Sequence, residues 1–227
     1  MFGEFSEYNT LSDPYQVVRD FEAELCRYTG SRFAVTMTSC TMALLLACFW
    51  DAKCRASEFD GLRINIEVIR RILEFEIPRR TYVSVPMSII HAGGKVAFRD
   101  EEWSGAYQLK SSPVWDSARR FTSGMYVAGQ FQCLSFHPSK ILGLSGHGGA
   151  ILHNDPEADE WLRKARYDGR TEGLAPKDDK FTMFGWHCYM APETAAQGLV
   201  RLKLLPDHND DLPNSDYPDL SKMEIFQ

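Results

Sequence analysis

The chain has 227 residues, 44% hydrophobic and 25% charged, which is enough apolar material for one large buried core and too much for a disordered chain. No apolar run reaches the roughly 18 residues of a membrane span, and the acidic opening (MFGEFSE) lacks the basic and apolar regions of a secretory leader. A formal net charge of -6 argues against a surface for the phosphate backbone of nucleic acid, so Arg70, Arg71, Arg79 and Arg80 read as solvated faces.

In chain order, Val18, Phe21, Leu25 and Tyr28 fall on one helical face and predict a helix over 17–28, stopped by Gly30. A strand is predicted over 33–38 and an apolar helix over 41–50 directly after it. The turn between them would sit at a helix N-terminus, a natural place for an anion. Residues 51–72 make a long connection in which Val68, Ile69, Ile72 and Leu73 suggest an extra helix. There follow a strand over 73–77 closed by Pro78, a helix over 83–92 ended by Gly93 and Gly94, and strands over 95–99, 114–115, 132–136 and 149–152. Pro156 and the acidic residues behind it open an amphipathic helix over 156–167, and a last helix is predicted over 192–204. Alternating strands and helices argue for an α/β fold of three layers, α/β/α, with a mostly parallel sheet in the middle. Residues 1–204 then form one large domain. Beyond it, 205–227 is polar and interrupted by Pro206, Pro213 and Pro218, a composition that predicts partial disorder.

Six cysteines lie scattered without the paired spacing of a zinc site or a disulfide framework. Cys26, Cys48 and Cys133 sit among apolar neighbours and read as small buried hydrophobes, which suits a reducing, cytoplasmic compartment.

The chemistry concentrates in 133–140 (CLSFHPSK). Lys140 stands just past a strand, Ser135 five positions before it, and Asp116 ends an earlier strand. A protein that holds pyridoxal phosphate needs such a set. A lysine amine forms the Schiff base, a carboxylate keeps the pyridine nitrogen protonated, and hydroxyls with backbone N–H groups take the phosphate. Singly, each has a plainer reading: a surface lysine, a helix N-cap, a strand-end hydroxyl bonded to backbone. In open α/β sheets ligands collect at the carboxyl ends of strands, where 38–41, Asp116 and Ser135 would all fall.

Together with FEAEL at 21–25, TSCTMAL at 38–44, VWDSA at 114–118 and GHGG at 146–149, this stretch resembles the DegT/DnrJ/StrS-type sugar aminotransferases, pyridoxal-phosphate enzymes of fold type I. The resemblance runs from about Val17 to Leu204 in the same linear order. It implies that Lys140 carries the Schiff base and shuttles protons and that Asp116 pairs with the pyridinium. It also implies that Tyr82 stacks on the ring, while Ser39, Cys40, Thr41 and Ser135 hold the phosphate. Four positions depart from the family pattern. Cys40 replaces a glycine, which is tolerable only with ordinary backbone dihedrals. Arg119 stands where glutamine or histidine lies near the cofactor, and His147 replaces an acid in the glycine turn. His187 takes the place of an asparagine that reaches the phosphate of the partner subunit, or else is an interface histidine. The resemblance further implies a homodimer with a shared active site, L-glutamate as amino donor and a keto sugar nucleotide as acceptor. It also implies a small C-terminal domain that 205–227 is too short to supply. Competing readings are a non-catalytic binding or assembly module, another pyridoxal-phosphate reaction such as sugar dehydration, and a separate chain completing the site.

Overall fold

The computed structural model describes residues 13–57, 73–214 and 216–227. The acidic opening segment, Arg70, Arg71 and most of the extra helix expected within 51–72 lie outside these residues. Helix α1 (Gln16–Thr29) buries Val17, Val18, Phe21, Leu25 and Tyr28, and ends where Gly30 turns left-handed at φ 81°. Strand β1 (Phe33–Met37) leads into α2 (Cys40–Ser57), which continues past the expected end at Trp50. Next come β2 (Glu74–Pro78), α3 (Ser84–His91), β3 (Lys95–Arg99), β4 (Tyr107–Gln108), β5 (Val114–Asp116), β6 (Phe131–Ser135) and β7 (Gly149–His153). Helix α4 (Pro156–Arg166) starts on a true N-cap, since the Asp155 carboxylate accepts from the N–H groups of Glu157 and Ala158. Helix α5 (Pro192–Leu204) is the last long element.

The sheet departs from expectation. Its five strands run in the order β1-β7-β6-β5-β4, and only β5 with β6 is parallel; β1/β7, β6/β7 and β4/β5 are antiparallel. A separate parallel pair, β2 and β3, meets this sheet through a bridge between Glu76 and Lys110. The reason is the connections. Parallel neighbours need a crossover of a dozen or more residues, usually helical. The segment joining β6 to β7 contains no helix, and β4 reaches β5 through a tight turn in which Ser111 adopts φ 68°. Because β7 lies antiparallel between β1 and β6, those two strands still point the same way, as does β5. Their carboxyl ends therefore share one edge of the sheet.

Strand alternation sorts the core into two halves, one on each face, and gives the three layers. Val35, Met37, Cys133 and Ile151 join α2, α3 and α4 on one face. Ala34, Leu134, Ala150 and Leu152 join α1 and α5 on the other.

A buried ion network ties α1, β1 and α4 together. One Glu22 carboxylate oxygen accepts the Thr36 N–H at 2.9 Å, the Thr36 hydroxyl at 2.8 Å and an Arg166 N–H. The other accepts from Arg163 at 2.7 Å. Arg166, 2% exposed, also donates to the Thr36 carbonyl and to Glu172. Burial alone would raise the Glu22 carboxyl pKa, but the charges of Arg166 and Arg163 with the Thr36 N–H outweigh it and hold the group below its ordinary value.

Residues 205–227, expected to be partly disordered, return across the domain instead. The Tyr28 hydroxyl donates to the Pro206 carbonyl at 2.6 Å, and Arg120 grips Asp211 with both Nε and Nη2. Leu220 is fully buried, and its N–H donates to the Arg79 carbonyl at 2.9 Å. Composition alone misjudged the segment, because Leu220 finds a buried place and polar groups of the rest of the fold bind the tail backbone and Asp211.

Replacing Glu22 with glutamine leaves buried Arg166 with Glu172 as its remaining carboxylate partner and breaks the Glu22 side of the buried network, and is expected to cost about 3–5 kcal/mol at neutral pH, read from urea unfolding midpoints. Since the folded-state pKa is lowered, this contribution is whole above the ordinary carboxylate pKa and is lost as pH falls through the folded one. The gap between wild type and variant should therefore narrow in acid; a gap independent of pH would rule out the ion pair as its source.

Candidate active site

The three aligned strand ends open onto a cavity of about 470 Å³, within the range of cofactor sites. It gathers Ser39, Cys40 and Thr41 from the start of α2, Tyr82 before α3, Asp116 and Arg119 after β5, and Ser135 and Lys140 after β6. Of the residues singled out in the sequence, only His187 is elsewhere. It is exposed, and its Nδ1 lies 2.8 Å from the Asp168 carboxylate.

The turn after β1 gathers hydroxyls and a helix N-terminus. Ser39 caps α2, its hydroxyl accepting the Met42 N–H at 3.2 Å, while the Thr41 hydroxyl donates to Ser84 at 2.9 Å. The N-terminus of this long helix presents backbone N–H groups and the positive end of its dipole. Cys40 is an ordinary right-handed helical residue, so the absence of a glycine costs nothing. Burial and nearby Asp116 push the Cys40 thiol well up, keeping it uncharged. Gly149, at the start of β7, is irreplaceable for another reason: a Cβ there would collide with the backbone of Ser39 and Cys40. The glycine turn thus lets β7 abut the Ser39–Cys40 turn, and His147 holds its bend at φ 61°.

Asp116 forms the floor and is 4% exposed. Its Oδ1 accepts the Ala118 N–H at 2.9 Å and its Oδ2 accepts the Tyr107 hydroxyl at 2.8 Å. An ionised carboxylate offers about four acceptor positions, so room remains for a further donor. Burial raises the Asp116 pKa, against the pull of Ala118, Tyr107 and the charges of Lys140 and Arg119. Burial and the Asp116 charge push the Tyr107 phenol well up, so it stays protonated and donates. Its single proton being committed, the Thr81 hydroxyl is the donor in the Thr81–Tyr107 bond. Sequence reasoning missed Tyr107. The available signal was positional, since the β4–β5 hairpin sets Tyr107 directly opposite Asp116.

Lys140 reaches the cavity from the loop after β6, its backbone N–H held by the His137 carbonyl at 2.8 Å. The His137 ring, whose pKa is lowered by burial and by His147 and Lys140, accepts the Ser139 N–H at Nδ1. Its neutral form thus carries the proton on Nε2. Ser135 is half-buried and accepts the His137 N–H at 3.4 Å. Tyr82 is 55% exposed and lines the cavity, so it is not a core tyrosine. Arg119 donates to the Pro213 carbonyl at 2.5 Å, which draws its guanidinium toward the returning tail. Trp103, also missed, contributes a further aromatic wall, fixed by its Nε1–H donating to the Arg80 carbonyl.

Because the Asp116 pKa is raised by the fold, ionising it opposes folding; the cost is absent below the ordinary carboxylate pKa and complete above the folded one. Asp116→Asn is therefore expected to melt no lower than wild type at pH 7 in thermal unfolding of the unliganded protein. Tyr107→Phe removes a hydrogen bond to a charge and should lose about 1.5–3 kcal/mol. A clear loss of stability in Asp116→Asn would contradict the sign of this electrostatic reading.

Comparison with known proteins gives the arrangement its context. No curated protein sequence matches the chain. Among solved structures it is similar to AtS13 from Actinomadura melliaura, at 17% identity and a TM-score of 0.69 over 88% of this chain and 62% of that one. NtdA from Bacillus subtilis, solved with bound PMP, gives 19% identity and a TM-score of 0.65 over 90% and 52%. PseC from Helicobacter pylori, an aminotransferase involved in the biosynthesis of pseudoaminic acid, gives 18% and 0.61 over 83% and 57%. At such identities the likeness establishes the fold, and the chain spans well under two thirds of these proteins. The DegT/DnrJ/EryC1/StrS family pattern matches residues 2–104 and 124–211, leaving Asp116 and Arg119 in the unmatched interval where geometry alone locates them. A match over most of its length means that this chain belongs to the DegT/DnrJ/EryC1/StrS aminotransferase family, a family that depends on pyridoxal phosphate.

Proposed function

We propose that the chain binds pyridoxal 5'-phosphate through Lys140 and moves an amino group from L-glutamate to a keto sugar nucleotide. The observation that carries this reading is one cavity with a buried carboxylate as its floor, a lysine on its wall and a capped helix N-terminus at its side. The residues fit the cofactor. Its phosphate would lie against the first turn of α2, with Ser39, Cys40, Thr41 and Ser135 supplying hydroxyl and backbone donors. Tyr82 would cover a ring face. When bound, the cofactor supplies an electron sink for bonds at the amino carbon.

The protein's own groups do the rest. Asp116 would pair with the ring nitrogen, and a pyridinium beside it would favour the ionised carboxylate that burial alone disfavours. Tyr107 and the Ala118 N–H fix the plane of that carboxylate, so it presents a defined acceptor. The Lys140 amine holds the cofactor and then carries a proton between carbons as a general base and acid. His187 lies outside its own cavity, exposed, in a stretch of chain that also exposes Phe181 and Phe184. That placement supports a homodimer in which His187 serves the neighbouring site. The unpaired thiols of all six cysteines suit a cytoplasmic enzyme.

The test is the visible spectrum of the purified protein mixed with pyridoxal phosphate, alongside Lys140→Ala, before and after L-glutamate. A band that requires Lys140 and is discharged by glutamate is expected. A Lys140-dependent band indifferent to glutamate would leave a cofactor-binding module and remove the donor. No band from folded protein would overturn the reading as a whole.

A further inference from the structure

The returning tail is more than a covering. Between its anchors at Asp211 and Leu220 it brings Tyr217 to the cavity, and two arginines at or beside site residues bind its backbone. Arg119 donates to the Pro213 carbonyl and Arg80 donates to the Tyr217 carbonyl at 3.4 Å. On the upstream side the Asp211 carboxylate lies against Gly105, where any Cβ would collide with it, and the backbone of Leu212 exchanges hydrogen bonds with Gly105 and Arg119. The path is thereby set at both ends. Its consequence is the position of Tyr217, whose ring lies 6.1 Å from that of Tyr82, inclined at 58°, and which lines the same cavity as Lys140 and Asp116.

We propose that Tyr217, held by the tail's anchors, is a built wall of this cavity, touches the bound cofactor and retards its exchange with solvent. The inference rests on the cofactor reading given above. Three aromatic side chains from distant parts of the sequence, Tyr82, Trp103 and Tyr217, meet at one opening. Tyrosine and tryptophan faces suit a planar, positively charged ring such as a protonated pyridine. The same arrangement holds Arg119, whose guanidinium donates to the Pro213 carbonyl of the tail.

The experiment uses the full-length protein loaded with pyridoxal phosphate. Loss of the visible band is followed after dilution into a carbonyl-trapping buffer, for wild type, Tyr217→Ala and Tyr217→Phe, with Lys140→Ala as the blank. Tyr217→Ala is expected to release cofactor about 3- to 10-fold faster, the effect of removing one aromatic contact. Tyr217→Phe, which keeps the ring, should release at close to the wild-type rate, with both variants unfolding near the wild-type temperature. Release from Tyr217→Ala at the wild-type rate would overturn this inference alone. So would accelerated release accompanied by a large drop in unfolding temperature and no rescue by phenylalanine, since the wall would then be acting through stability. A wild type that shows no Lys140-dependent band overturns the cofactor reading and this inference with it.

Discussion

The buried carboxylate of Glu22 is the constraint on which the site depends. It sits where α1, β1 and α4 meet, and it takes the Thr36 N–H that β1 would otherwise leave buried without a partner. Arg166 and Arg163 neutralise it, while Arg166 returns a hydrogen bond to the Thr36 carbonyl. An ion pair so deep adds little net stability by itself, because desolvation opposes it, but breaking one side is costly. Its effect is specificity. It fixes the depth and orientation of β1, and through β1 the turn at Ser39 and the first residues of α2.

From that fixed point the rest of the cavity follows by strand direction. β1, β6 and β5 point the same way although most of their pairings are antiparallel, so the groups following each strand converge. β7 enters between β1 and β6 beginning at Gly149, and a missing Cβ at that position lets the Ser39–Cys40 turn close against the sheet. The same geometry places Asp116 under a relay from Thr81 through Tyr107, buried in a place where its charge is disfavoured until something positive faces it. Such a group is costly to keep and has no structural purpose that an asparagine would not serve as well, which is the physical case for a ligand.

Much of this was legible beforehand. The helix at Gln16–Thr29, the strand at Lys95–Arg99 and the helix at Pro192–Leu204 follow from apolar spacing and from the glycines and prolines that bound them. Lys140, Asp116, Ser39, Cys40, Thr41, Tyr82, Arg119 and Ser135 all meet in one cavity. The parallel character of the sheet was misjudged, because alternating strands and helices do not reveal which connections lack a crossover. Tyr107 escaped notice because β4 is two residues long, too short for any period to show. The tail escaped because polar composition predicts disorder wherever a segment must stand alone, and this one does not.

The amino-acid sequence by itself determined most of the elements, their order and the chemical identity of the groups, since these depend on local spacing and on residue type. Only the tertiary structure decided what those groups meet. The partner of Asp116, the destination of Arg119, the exposure of His187 and the presence of Tyr217 at the cavity all depend on contacts between residues far apart in the chain. Such contacts are set by how strands pair and where loops return, and no local pattern encodes them.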